Sequence, residues 1–221
     1  MNMKPVLLIA AATLMLGAAG CDTSKYGQVE QGKVIAFDEA AQLVTVVHDT
    51  NIDPSNPKYD KMPPVVFKLP ANPKEIGPLP KVGQRLQLNL EEKKLEIYDA
   101  QKQTLVYIDI PDADVQKDIG KEHALVKDQS FPKIDSEKGT ITVYSGRLKA
   151  LCTFGIPAGY ENYPPETWTT GDEVRIYFKP ESGQAGTPES PFQARRFMNI
   201  TQTNIYKKST QIGRASCRER V

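Results

Sequence analysis

The sequence predicts an all-β protein built as two tandem small β-barrel-like modules of the OB or SH3 kind, the second echoing the first. Three observations point there. Apolar and polar residues alternate at period two through most of the chain from Lys33 onward. The alternating runs are short and are separated by Pro, Gly and Asp, the punctuation of barrels and sandwiches. No segment carries a sustained helical stripe.

In chain order, the runs of the first β-domain (33–110) are Val34 to Phe37, Leu43 to Val47, Val65/Phe67/Leu69, Leu86/Leu88/Leu90, Leu95/Ile97 and Val106/Ile108/Ile110. A polar connection (111–121) leads into a second β-domain (122–208), where residues of the first half recur. Phe37-Asp38 precedes Val44-Thr45-Val46 at the interval at which Ile134-Asp135 precedes Ile141-Thr142-Val143. Phe67-Lys-Leu-Pro-Ala71 matches Phe154-Gly-Ile-Pro-Ala158, and Gly83-Gln-Arg-Leu-Gln-Leu88 matches Gly171-Asp-Glu-Val-Arg-Ile176. Each anchor has a physical reason: Asp opens a hairpin turn, Pro ends a strand, and Gly turns the chain into the next one. An internal duplication is therefore expected, with a single continuous β-sandwich as the alternative. The halves differ at two insertions, His48 to Asp60 and Pro180 to Pro191; the Gly, Ser and Pro of the second read as a mobile loop.

The chain opens with one Lys, an apolar run from Val6 to Leu16 and small residues ending at Cys21, which is too short for a membrane span and reads as a signal peptide (1–20). Ala18-Ala19-Gly20-Cys21 looks like a lipobox, so Cys21 is the expected site of lipidation and the mature N-terminus. Residues 21–32 then form a lipidated tether on the periplasmic face of a bacterial membrane, and Asp22 resembles the signal that retains lipoproteins in an inner membrane. At the other end, residues 212–221 read codon for codon as the translation of a sequencing adapter and are left out of the fold argument. Removing Lys4, Arg214, Arg218, Arg220 and Glu219 from the 28 basic and 27 acidic residues leaves 24 and 26, a net charge of −2 that gives no reason to expect nucleic acid. Cys152 is then the one remaining thiol; its strand aligns it with Leu148, Ala150, Phe154 and Ile156 on a core face, which implies a buried, inert group and no disulfide framework.

Asp49, Asn51 and Asp53 have the D-x-N-x-D spacing that aims alternate oxygens at a hard cation, with Asp60 at the twelfth-position acid of an EF-hand-type loop. Pro54 replaces the turn Gly and no helices flank the loop, so a plain polar turn competes with a calcium site. Tyr160, Tyr163 and Trp168 gather in a Pro-rich stretch as a binding ledge for a peptide, glycan or partner, or as a barrel cap. Arg175, Lys179, Arg195 and Arg196 form an outward basic patch if their strands pair. Neither His48 nor His123 belongs to a zinc or Ser-His-Asp spacing, and no haem or phosphate-loop motif occurs.

Cys21-Asp-Thr-Ser-Lys-Tyr-Gly, Phe131-Pro-Lys-Ile-Asp, Trp168-Thr-Thr-Gly-Asp-Glu-Val-Arg-Ile-Tyr177 and Arg196-Phe-Met-Asn-Ile-Thr201 resemble an uncharacterised family of bacterial lipoproteins, from Cys21 to Lys208. The resemblance brings no catalytic residues. The expectation is a membrane-anchored, non-catalytic binding or assembly subunit of the cell envelope with a protein partner; a calcium-stabilised module and an envelope hydrolase using His48 or His123 are the alternatives.

Overall fold

A computed structural model describes residues 26–51 and 56–203. Cys21, Asp53 and the adapter-like tail lie outside the described residues. Twelve strands are present among them: β1 (Gln28–Asp38), β2 (Leu43–His48), β3 (Lys61–Lys68), β4 (Arg85–Asn89), β5 (Lys94–Asp99), β6 (Thr104–Asp109), β7 (Asp114–Gln116), β8 (Lys133–Asp135), β9 (Thr140–Ser145), β10 (Ala150–Gly155), β11 (Glu173–Phe178) and β12 (Phe192–Asn199). The chain is all-β, and the alternating runs read from the sequence fall on β1 to β6.

These strands form three sheets. In the first the order β1-β11-β12-β3-β2 returns to its start, closed by two parallel pairs, Phe192 with Phe67 and Gln193 with Lys68. Its interior is filled by Val34, Val44, Val46, Phe67, Val174, Ile176, Phe178, Ala194 and Phe197. The second is a three-stranded sheet, β4-β5-β6, and the third runs β7-β10-β9-β8. A second core joins these two through Leu88, Leu95, Ile97 and Ile108 on one side and Ile141, Val143, Cys152 and Phe154 on the other. The opposite face of β4-β5-β6 packs on the outer wall of the closed sheet, where Leu86, Tyr98 and Leu105 meet Ile35, Val47 and Tyr59. The three-stranded sheet is thus a middle layer covered on both faces.

This arrangement corrects the expected domains. Strands of 33–110 and 122–208 are interleaved: β11 and β12 complete a sheet begun by β1, β2 and β3, while β4 to β6 pack on β9 and β10. Local echoes nevertheless persist. Val44 pairs with Phe67 as Ile141 pairs with Phe154. Asp38 accepts the Ala41 amide (2.9 Å) as Asp135 accepts that of Lys138 (3.0 Å), so both hairpins turn on an Asp.

Two glycines stand where the segments cross. Val34 N–H donates to Asp172 O (3.0 Å), Asp172 N–H to Lys81 O (2.9 Å) and Arg85 N–H to Thr169 O (3.0 Å). The backbones run so close that a Cβ on Gly171 would strike Val34 O, and one on Gly83 would lie 2.6 Å from Gly171 N.

Three smaller expectations also change. β1 begins at Gln28, so the second part of the 21–32 tether is strand, supported by pairing of Gln28 to Lys33 with β11. The 111–121 connection supplies β7, paired with β10, and leads into a cover of Ile119, Val126 and Phe131 over Leu151 and Tyr144. The Pro180–Pro191 loop is tied down: Ser190 Oγ donates to Gly183 O (2.8 Å) and Val66 N–H to Gly186 O (2.8 Å).

Cutting the chain within 111–113 is expected to give two fragments that stay unfolded apart and regain native near-ultraviolet circular dichroism when mixed, since each lacks strands the other supplies. Independent folding of either fragment would contradict the interleaving. Gly171→Ala is expected to cost about 3 kcal/mol or more in urea titrations, as forced backbone displacement does in a packed core.

Candidate functional site

The strand register puts Lys33 directly across from Glu173 and, on the other side, from Val47. Val34 and Val174 point into the closed sheet, so their neighbours Lys33 and Glu173 point outward, towards the middle layer. Glu96 of β5 faces back from that layer, with Tyr107, its partner on β6, at the exposed margin. A polar seam results. Lys33 Nζ donates to Leu86 O (2.8 Å) and Thr170 Oγ1 (3.3 Å) and lies 5.1 Å from the centre of the Tyr59 ring. Tyr59, buried among Ile35, Val47 and Leu86, donates its hydroxyl to Glu173 Oε2 (2.6 Å).

Burial dominates the charges here. Loss of water lowers the Lys33 ammonium to about 8, despite the favourable Glu173 charge. Burial pushes the Glu96 carboxyl up to about 7, a rise that the Tyr107 hydroxyl, 3.3 Å away, only partly opposes. Glu173 is also raised by burial, against the pull of Lys33, and its Oε1 is enclosed without a hydrogen-bond partner. These shifts all come from enclosure between two packed sheets, where the groups' partners pin the layers together.

A groove of about 380 Å³ opens beside the seam, between Asn89 to Glu91 after β4, Arg147 and Leu148 after β9, and Lys117 after β7, with Asn56 and Gln87 contributing amides. Arg147 links the two regions, since its charge acts on Lys33, Tyr59 and Glu173. Two cations, three amides and one carboxylate over a floor of Leu88, Leu90 and Leu148 suit recognition of a polar or anionic group.

The residues singled out by sequence fall elsewhere. Asp49 Oδ1 accepts the amides of Asn51 (3.0 Å) and Lys58 (2.8 Å), and its Oδ2 accepts from Gln31 (3.1 Å). Asn51 donates its side-chain amide to Asn56 O (2.7 Å). Asp60 accepts from the Thr50 hydroxyl (2.7 Å) and pairs with Lys58 (2.6 Å). These oxygens therefore hold the loop's own turns, and among the described residues no group of three or more His, Cys, Asp or Glu converges as a metal cluster.

Tyr160, Tyr163 and Trp168 are brought together, but facing inward. Trp168 is 1% exposed and packs edge-on to Phe154 and Tyr160 at centroid distances of 6.0 and 5.9 Å. The Tyr163 ring lies tilted against Tyr160, centroids 4.5 Å apart, and its hydroxyl donates to Asp99 Oδ2 (3.1 Å), which also takes Lys102 (2.9 Å). The ledge is a latched cap on the second core. Arg85, buried under it, donates to Trp168 O (2.9 Å) and Tyr144 O (3.1 Å), pinning β4 to both. Cys152 is buried and free, its thiol pushed up to about 11 by burial. His48 Nδ1 meets the Glu30 carboxylate, whereas His123 is exposed and accepts the Leu125 amide (3.3 Å) in a turn.

The sheets and seam define an all-β protein of interleaved layers; among the described residues no helix is long and apolar enough to cross a membrane. Residues 25–208 match the family described as a domain of unknown function, DUF4881, and the chain belongs to it. No curated protein and no solved structure matches the chain.

The unfolded chain loses the Glu96 proton near 4.5, while the folded protein holds it to about 7. Stability is therefore lost as pH rises through that window. Glu96→Gln keeps an acceptor for Tyr107 and removes the charge, so it is expected to be more stable than wild type by about 1 to 3 kcal/mol at pH 8 and near wild type at pH 4. Equal stability differences at both values, in urea melts, would remove the buried-carboxylate account.

Proposed function

We propose that this chain is the folded part of a bacterial lipoprotein, cleaved before Cys21, acylated there, and retained on the periplasmic face of the inner membrane as a non-catalytic binding or assembly subunit. The observation that carries the reading is the short distance from the lipobox-like cysteine to the fold. β1 starts at Gln28, so the intervening residues 22–27 reach at most about 20 Å when extended. With two or three acyl chains, attachment is firm. Ligand recognition falls to the groove beside Arg147 and Lys117, whose chemistry is that of hydrogen bonds and charge.

The two halves are, in this reading, duplicated modules that have exchanged their C-terminal hairpins. Support comes from the matching Val44–Phe67 and Ile141–Phe154 registers and from the contact between the corresponding glycines, Gly83 and Gly171.

Palmitate labelling in a bacterial host is expected to mark the wild type and leave Cys21→Ser unlabelled. Unlabelled wild-type protein would end the anchored reading. Crosslinking in membranes then identifies the partner, and Arg147→Glu with Lys117→Glu is expected to abolish its capture while leaving labelling unchanged.

A further inference from the structure

The outer wall of the closed sheet is covered by the middle layer around Lys33 and left open two rows further on. Ile176 and Phe178 point into the core, which turns Tyr177 outward; Val29 lies opposite it on β1 and Arg196 opposite it on β12. One row in, Gln31, Arg175 and Met198 stand side by side, with Arg175 Nε donating to Gln31 Oε1 (2.6 Å). Val29 is 63% exposed, Tyr177 42% and Tyr26 71%. The chain enters β1 beneath the Tyr177 ring, in direct contact at Gly27. The patch therefore surrounds the point where the N-terminal segment leaves the fold. Leu79, Tyr107, Leu125 and Ile134 are exposed as well, but on other segments.

We infer that Tyr26, Val29 and Tyr177, rimmed by Arg175 and Arg196, lie on an anionic phospholipid surface and fix the orientation of the folded domain on the bilayer. The inference rests on acylation of Cys21. Residues 22–25 then span at most about 14 Å, so Tyr26 stays close to the headgroup layer. The composition fits that layer: tyrosines keep a ring among acyl and glycerol groups with the hydroxyl in water, and guanidinium groups pair with phosphate. Arg196 Nε lies 3.8 Å from the Glu75 carboxylate and Arg175 Nε is held by Gln31, so in each it is the terminal guanidinium N–H groups that meet phosphate.

The test uses the acylated full chain, in a Cys217→Ser background, in protein-free vesicles of phosphatidylcholine with phosphatidylglycerol. An environment-sensitive fluorophore is attached in turn to Val29→Cys, to Tyr177→Cys and to Gln103→Cys in the β5–β6 turn. Lipid-borne quenchers are expected to quench the first two several-fold more than the third, and Arg175→Gln with Arg196→Gln to reduce that difference. Equal quenching at all three positions, in protein that floats with the vesicles, would overturn the orientation and leave the anchor standing. Protein that neither floats nor carries palmitate would overturn both. Shielding of Tyr177→Cys in native membranes alone would assign the patch to a protein partner and overturn the lipid surface.

Discussion

The close crossing of two backbone segments at Gly83 and Gly171 is the constraint on which the rest of the structure depends. Residues 81–85 and 169–172 exchange hydrogen bonds with each other and with Val34 at distances that leave no room for a Cβ at either glycine. From that crossing β4 departs to the middle layer and β11 to the closed sheet. Asp172 secures the exit: its Oδ2 takes the Lys81 amide (2.9 Å) and the side-chain amides of Asn199 (2.8 Å) and Gln202 (2.6 Å). A carboxylate buried with three donors is a satisfied group, and removing its partners would leave a costly charge. The crossing thereby decides which hairpin completes which core.

The strands were legible in the sequence and their partners were not. Alternation places Val34, Val44, Val46 and Ile176 on buried faces because side chains on a strand point to opposite sides in turn. The same alternation is blind to where the next strand comes from. Gly83-Gln-Arg-Leu-Gln-Leu88 and Gly171-Asp-Glu-Val-Arg-Ile176 carry equivalent patterns, yet β4 pairs with β5 of its own half while β11 pairs with β1 of the other. The start of β1 was missed for a related reason. Gln28-Val-Glu-Gln-Gly32 contains a single apolar side chain, and its pairing comes from β11, far away in the chain.

The seam was illegible because a charged residue in an alternating strand looks like a solvent face. Lys33 between Gly32 and Val34, or Glu96 between Leu95 and Ile97, has that pattern, yet the middle sheet packs on the wall that carries Lys33 and encloses both. Conversely, Asp49, Asn51 and Asp60 and the aromatic cluster stand out in the sequence for chemistry, and in the fold each makes structural contacts. Asp49 organises its own loop as Asx turns do, and Trp168 closes a core that needed a large ring. A signal for the seam was present only in the combination of a charge and a two-sided sheet, which requires the topology.

One wall therefore carries two environments. Along β1 the outward residues run Lys33, Gln31, Val29, and along β11 they run Glu173, Arg175, Tyr177. From the first row to the third is about 13 Å, four residues of extended chain. At the first row the middle sheet covers the wall, and Lys33 and Glu173 make hydrogen bonds within the fold; at the third nothing of the described fold covers the wall, and the side chains become aromatic and aliphatic. The Gln31–Arg175 contact lies at the boundary and keeps the guanidinium directed along the wall. The groove beside Arg147, by contrast, is built mainly from β4, the turns of β4–β5 and β9–β10 and Lys117, with Asn56 of the β2–β3 loop the closed sheet's one contribution. The open Val29–Tyr177 row and the groove thus belong mainly to different sheets, and the Arg147 charge reaches from the groove to the Lys33–Glu173 seam on the wall.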